Sequence, residues 1–314
     1  MKIPVLLDCD PGHDDVMAIL LAAQHLDLKG LTTVSGNAPL AQTTYNTRYT
    51  VELAGITHIP IAAGASHPMV HTVDFTGDIH GESGLDGPVM HEPEVAIRSD
   101  HAVDFIHEVV DQTDGVHIIA TGMLTNIALV LRRYPGIHSK IASICLMGGS
   151  LTHGNVTPVA EFNIWADPEA AHVVFTSGIS IKMVGLNVTR QVSAIPNIRQ
   201  DIRDIGSHTA VAVADMLDFF SAQLEKLYGL PGASMHDPLA VVPLIDDRIL
   251  TFQPMHVVIE LAGTHTYGMT VCDYRERKNE DGTPAGKPPN ADVAVSVDVD
   301  RFWALFLDTL KHYP

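Results

Sequence analysis

Residues 3–26 read IPVLLDCDPGHDDVMAILLAAQHL. The apolar run IPVLL (3–7) does not alternate with polar residues, as expected of a strand covered on both faces, and VMAILLAAQHL (16–26) has the length and apolar stripe of a helix. Between them stand Asp8, Asp10, Asp14 and Asp15, four carboxylates within eight residues. A buried strand that turns straight into a helix is the first half of a β-α-β unit and predicts a parallel sheet with crossover helices.

The alternation continues outward from this unit. LKGLTTVS (28–35), IPIAAG (59–64), VHIIA (116–120), IASICLMGG (141–149) and ISIKMVGL (179–186) read as further strands. Helical patterns lie at 40–53, 124–132 and 168–176. Later, VAVADMLDFFSAQLEKLYG (211–229) reads as a helix stopped by Gly229, and HDPLAVVPLI (236–245) as a helix start. MHVVIEL (255–261) and YGMTVCDY (267–274) resemble a hairpin, ADVAVSVDV (291–299) a strand, and RFWALFLDTLKHY (301–313) an amphipathic helix. There is no internal repeat, and the polar stretch RKNEDGTPAGKPPN (277–290) reads as a surface loop. The expectation is one α/β domain over residues 1–314: an open, mostly parallel central sheet flanked by helices, with its site at the carboxyl ends of the strands.

Composition limits the function classes. The 314 residues carry 19 Lys+Arg against 37 Asp+Glu, a formal charge of −18, with 46% hydrophobic and 18% charged residues. Disorder is excluded by that balance, and a nucleic-acid backbone binder is disfavoured because phosphate neutralisation needs a cationic surface. Cys9, Cys145 and Cys272 form no CxxC pair, so neither a disulfide scaffold nor a thiolate zinc site is expected. The first apolar run is too short for a signal peptide and no stretch has the length of a membrane span, so the expected location is cytoplasmic, without a membrane partner.

Crowded carboxylates repel one another unless protons or a cation offset them. Asp14 or Asp15 can be an ordinary first-turn acid, favourable at a helix N-terminus, but that accounts for one or two of the four. A hard divalent ion with oxygen ligands accounts better for the set. Other predicted strands end in polar groups too: Ser35-Gly36-Asn37, Ala120-Thr121-Gly122 and Met147-Gly148-Gly149, followed by Asn155, Glu161 and Asn163, and later His236-Asp237-Pro238. Each alone reads more readily as a turn or cap; together they are expected on one rim of the sheet.

With these residues in view, the chain resembles the inosine–uridine-preferring nucleoside hydrolases. LLDCDPGHDD (6–15) matches that family's signature, with Met17 where valine or isoleucine is more usual. IHGESG (79–84), TGMLTNIA (121–128), LMGGSLTHGNVTPVAEFNIWADPEAAHVVF (146–175), HDP (236–238) and GMTVCDY (268–274) follow in the family's order. The resemblance implies a Rossmann-like nucleoside hydrolase fold and one Ca2+ per subunit, held by the carboxylates of Asp10, Asp15 and Asp237 and the carbonyl of Thr121. It implies ribose contacts from Asp14, Asn37, Asn155, Glu161 and Asn163, with Met147 packing nearby. His80 and Phe162 would face the base, His236 would assist its departure, and Tyr228 would belong to a segment that closes over it. A homodimer or homotetramer is implied, and base preference, purine or pyrimidine, would rest in loops around 75–90 and 220–235.

The chemistry of the residues agrees with that resemblance. Breaking a ribosyl C1′–N bond builds positive charge on the sugar. Asp10 is the candidate base for the attacking water, the surrounding carboxylates oppose the sugar's positive charge, and His236 can protonate or hydrogen-bond the base. Two other readings share the acidic loop. An aspartyl-phosphate phosphohydrolase would use Asp8 as nucleophile but needs a strand-end lysine, which these loops do not offer. A calcium-dependent binding protein would use the same carboxylates without chemistry.

Overall fold

The computed structural model describes residues 2–70, 72–73, 79–81, 83–99, 101–275, 278–279 and 285–314. Parts of the expected selectivity loop (75–78 and 82) and of the polar stretch 277–290 (277 and 280–284) lie outside the described residues.

The strands are β1 (Pro4–Cys9), β2 (Asp27–Thr33), β3 (Ile61–Ala63), β4 (Val116–Ala120), β5 (Ile141–Met147), β6 (Ile181–Val184), β7 (Ser193–Ala194), β8 (Ala233–Ser234), β9 (Leu250–Ile259), β10 (Thr270–Asp273) and β11 (Ala291–Val297). The α-helices are α1 (His13–His25), α2 (Leu40–Leu53), α3 (Ala102–Gln112), α4 (Thr125–Arg133), α5 (Phe162–Ala166), α6 (Pro168–Phe175), α7 (Leu186–Thr189), α8 (Pro196–Asp204), α9 (His208–Tyr228), α10 (Pro238–Val241) and α11 (Val299–Leu310). Among the described residues, nine strands form one open sheet in the order β10-β9-β11-β6-β5-β4-β1-β2-β3. From β3 to β11 all neighbours pair in parallel, while β9 pairs antiparallel with both β11 and β10. The open, mostly parallel α/β sheet expected from the strand–helix alternation is the observed architecture.

Side-chain alternation along β1 divides the interior in two. Val5, Leu7 and Cys9 join the apolar core under α1, α9, α10 and α11, and Leu6 joins the one under α3, α4 and α6. In the first core α11 buries Phe302, Trp303, Phe306 and Leu310, each fully buried side chain of this kind stabilising by about 1.5–3 kcal/mol. Just beyond it, the Tyr313 hydroxyl donates to the Leu20 carbonyl of α1 at 2.6 Å. Cys9 and Cys145 are buried and Cys272 partly so, all three as free thiols, and burial pushes the last two up to about 11 and about 12.

Most predicted elements appear with shifted ends. β1 runs on through Cys9, so Asp8 lies inside the strand, and α1 starts at His13, three residues early. Gly229 ends α9 in the left-handed region at φ 66°, as expected of a stop glycine. α3 was not anticipated, although Ala102, Val103, Phe105, Ile106, Val109 and Val110 mark a helical face. β9 begins five residues before the predicted strand, and Pro254 is tolerated within it because β10 pairs only with 256–259.

The chain adds β2 and β3 on one side of β1 and then crosses to β4 on the other, so the order reverses between β1 and β4. A crevice opens at the carboxyl ends of strands at such a point. Asn126 fixes it. Its Nδ2 donates to Asp8 Oδ1 at 2.8 Å and to the Thr33 carbonyl at 3.0 Å, and its Oδ1 accepts from the Ala65 N–H at 2.9 Å. Two strand ends and the segment after β3 thus hang on one buried amide, and Thr32 Oγ1 donates to the same Asp8 oxygen. Asn126→Ala leaves buried partners unmet and is expected to lower the unfolding free energy by about 2–3 kcal/mol. Urea denaturation measures it; an unchanged midpoint would show that the amide does not hold the loops.

Candidate active site at the strand switch point

The loop after β1 turns through Asp10-Pro11-Gly12 into α1, where Asp14 and Asp15 occupy the first turn. Asp15 does cap: its Oδ2 accepts from the Gly12 N–H at 3.1 Å, and its Oδ1 accepts from Thr121 Oγ1 at 2.7 Å. Asn37 binds both acids, its Nδ2 reaching Asp15 Oδ2 at 3.2 Å while its backbone N–H donates to Asp10 Oδ2 at 2.7 Å. Among the described residues, Asp10 Oδ1 is buried without a hydrogen-bond partner.

Two glycines make room for Asp10. A Cβ on Gly36 would lie 1.9 Å from Asp10 Oδ2, and one on Gly122 would lie 2.5 Å from Asp10 Oδ1. Both closed positions are strand-end residues that sequence alone reads as turns.

Asp237, just ahead of α10, completes the floor. Oxygen atoms of Asp14, Asp15 and Asp237 lie within 4.8 Å of one another, all three residues being buried. Asp14 Oδ2 accepts from the N–H groups of His236 and Asp237 at 3.1 and 3.3 Å. Burial, then the neighbouring carboxylates, push Asp10 and Asp237 well above the usual range and Asp14 up to about 7. Capping explains some of these bonds, but not three acids in one buried space above a fourth with an unmet oxygen.

Above the floor lies a cavity of about 670 Å³. Asp14, Asn37, His80, Thr121, Met147, Asn155, Glu161, Phe162, Asn163, Tyr228, His236 and Asp237 all line it, whereas Asp10 and Asp15 sit beneath. Asn163 donates from Nδ2 to the Thr121 carbonyl at 2.7 Å and to the Met147 carbonyl at 3.1 Å. Glu161 caps α5, accepting from the N–H groups of Asn163, Gly149 and Ile164, and burial pushes it up to about 7. Asn155 Oδ1 accepts from the Phe162 N–H at 2.9 Å. His236 Nδ1 meets the Thr189 hydroxyl at 2.7 Å, and burial, followed by the charge of Arg190, lowers it to about 4. Tyr228 is the last residue of α9 and is 58% exposed, at the rim.

Several residues in or behind the cavity wall had no predicted role. His13 Nε2 donates to the Asp86 carbonyl at 2.7 Å, its Nδ1 lies 2.9 Å from His80 Nδ1, and its ring stacks 5.1 Å from Phe220. It therefore fixes where His80 stands. His13 was visible inside the acidic loop, but Phe220 and Leu224 read as core positions of a long helix. Trp165, inside the quoted stretch 146–175 but given no role there, and Arg190 also line the cavity.

Comparisons with known proteins agree with this geometry. Residues 5–304 match the family described as inosine-uridine preferring nucleoside hydrolase. The chain is 41% identical, over the full length of both, to pyrimidine-specific ribonucleoside hydrolases RihA of Escherichia coli. Among solved structures it superposes on a purine-preferring ribonucleoside hydrolase from Gardnerella vaginalis with a TM-score of 0.89 at 32% identity, covering 98% of each chain. It also superposes on the plant nucleoside hydrolase PpNRh1 with a TM-score of 0.87 at 30% identity, covering 99% of each.

Gly122→Ala is expected to fold but to displace the Asp10 carboxylate, and a misplacement near 1 Å can cost about 10²-fold in turnover. Comparing kcat with the parent at equal folded fraction tests this; an unchanged kcat would mean that Asp10 needs no fixed seat.

Proposed function

The chain belongs to the inosine-uridine preferring nucleoside hydrolases, and from that premise we propose a calcium-dependent ribonucleoside hydrolase that converts ribonucleosides to free base and ribose in nucleoside salvage or catabolism. It is an enzyme of the N-glycosyl hydrolase class. The observation that carries the reading is the buried carboxylate floor under a cavity large enough for a nucleoside. Uridine and cytidine are the first substrates to test, since the 41% identical relatives are named as pyrimidine-specific, with inosine beside them. A cytoplasmic homodimer or homotetramer is part of the proposal; among the described residues no helix is long and apolar enough to cross a membrane.

The residues fit a calcium ion. The donors are all oxygen, Asp10 has a buried oxygen without a partner, and crowded carboxylates need a counter-charge. Asp10, Asp15, Asp237 and the Thr121 carbonyl would hold it, with Asp14 in the same group of oxygens. An ion held there would lower the pKa of a neighbouring water. Asp10 would accept a proton from the attacking water as the water oxygen bonds to C1′. Asp14, Asn37, Asn155, Glu161 and Asn163 orient the ribose hydroxyls over Met147, and the acids oppose the positive charge that grows on the sugar. His80 and Phe162 receive the base, Tyr228 closes over it, and His236, neutral at pH 7, offers it an N–H.

Release of base and ribose from a nucleoside panel tests the activity, and absence of release from every member would refute it. Asp10→Asn is expected to lower kcat by at least about 10²-fold; near-normal turnover in the calcium-loaded variant would remove Asp10 from proton transfer. Sites built to hydrogen-bond a hydroxyl reject analogues lacking it, so 2′-deoxyinosine and thymidine should fall below inosine and uridine by at least about 10²-fold in kcat/KM. Equal rates on both sugars would undo the ribose assignment.

The ion also has a signature in stability. Asp14 binds protons more tightly folded than unfolded, 3.8 rising to about 7. Its contribution is complete below 3.8 and is lost as pH rises through about 7 in chelated protein. His236 acts oppositely, but only between about 4 and 6.5. Chelated protein should therefore melt lower at pH 8 than at pH 6.5, and calcium should raise Tm more at pH 8. An equal rise at both values would mean that calcium does not compete with protons for these acids.

A further inference from the structure

Arg190 is the only lysine or arginine among the described residues that line the cavity. It follows Thr189, whose hydroxyl holds the His236 ring, and it ends the short helix α7. Its guanidinium makes a long hydrogen bond of 3.5 Å to the Gly154 carbonyl, one residue before Asn155. Every strong salt bridge of the neighbouring arginines, such as Arg199 and Arg203 with Asp218, lies elsewhere, and Arg190 forms none among the described residues. The cavity is thus acidic at its floor and carries one permanent cation on the wall beside His236. The guanidinium lies close enough to His236 to lower it further after burial has done so, and burial lowers Arg190 itself against a weaker opposing interaction with Tyr228.

Breaking the C1′–N bond sends its electron pair to the base. A ring nitrogen conjugated to a carbonyl spreads that charge onto oxygen, where a guanidinium can meet it with planar N–H donors. We propose that Arg190 is a further catalytic residue of this enzyme, hydrogen-bonding the departing base and offsetting the negative charge that arrives on it. The inference rests on the nucleoside hydrolase reading and deepens it: the preferred leaving groups are bases with a carbonyl or a ring lone pair on the Arg190 side. The guanidinium keeps its protons throughout. Water gives its oxygen to C1′ and one proton to Asp10, the base leaves with the electron pair, and a proton equal to the one Asp10 took then neutralises the base. Nucleoside and water become ribose and base, with nothing else consumed.

The test compares two leaving groups on one sugar. Uracil needs help to leave, whereas p-nitrophenolate is a stable anion at neutral pH. Arg190→Met and Arg190→Gln, loaded with calcium and checked for folding by circular dichroism, are assayed on uridine and on p-nitrophenyl β-D-ribofuranoside. The expected result is a kcat loss of about 10- to 10²-fold on uridine, the scale of one hydrogen bond to a charged group, and less than about 3-fold on the nitrophenyl riboside. Arg190→Lys, which keeps the charge and loses the fork, should recover part of the uridine rate. Equal losses on both substrates would assign Arg190 to the sugar or to structure and overturn the proposal, as would unchanged rates on both. A parent enzyme that cleaves neither substrate would instead refute the nucleoside hydrolase reading itself. If both neutral variants fail to fold, the Lys variant carries the contrast: a selective loss on uridine supports the proposal and a parallel loss overturns it.

Discussion

Negative charges that are packed together out of water repel, and the structure is arranged around that repulsion. Asp10, Asp14, Asp15 and Asp237 share one buried space, with Asp8 directly behind them in β1. Backbone N–H groups at the start of α1 and ahead of α10 oppose part of the charge, as do Asn37 and Thr121. The rest is left for protons or a cation. Such a cluster needs a rigid frame, because carboxylates on mobile loops would move apart and hydrate. The frame is the parallel sheet at the point where its strand order reverses, drawn together by Asn126.

From this floor the cavity changes character upward. Acids and amides line one part of it, and rings and apolar side chains such as Phe162, Phe220 and Leu224 line another. The two halves come from different parts of the chain. Strand-end loops of the sheet supply the acids and amides, whereas α9, Ile79 and His80 supply much of the rest of the lining. Changes in α9 can therefore reshape one part of the cavity without touching the acids. That division suits a family whose members named here include pyrimidine-specific and purine-preferring enzymes.

Much of this was legible in the sequence, for a physical reason. A strand buried on both faces must be apolar throughout, so β1, β4 and β5 stand out as runs, and the acids that follow β1 stand out because nothing in a core excuses them. The carboxylates and amides at the strand ends were found on the same logic. What escaped were distances between segments. Gly36 and Gly122 read as turns, and only the folded chain reveals that both make room for Asp10. Phe220 looked like any core residue of α9, since facing a cavity and facing a core leave the same pattern. Asp15 was posed as either a cap or a site residue, and it does cap Gly12 while standing in the acidic group.

Cys9 lies between Asp8 and Asp10 with no exposed surface, its thiol donating weakly to the Thr32 carbonyl at 3.5 Å. Burial and the acids around it hold the thiol far above its ordinary pKa. A thiol in that state resists alkylation until the strand around it opens. The molecule thus carries an intrinsic clock: the rate at which a small maleimide labels Cys9 reads how often the centre of the sheet breathes, one residue from Asp10, without any engineered cysteine.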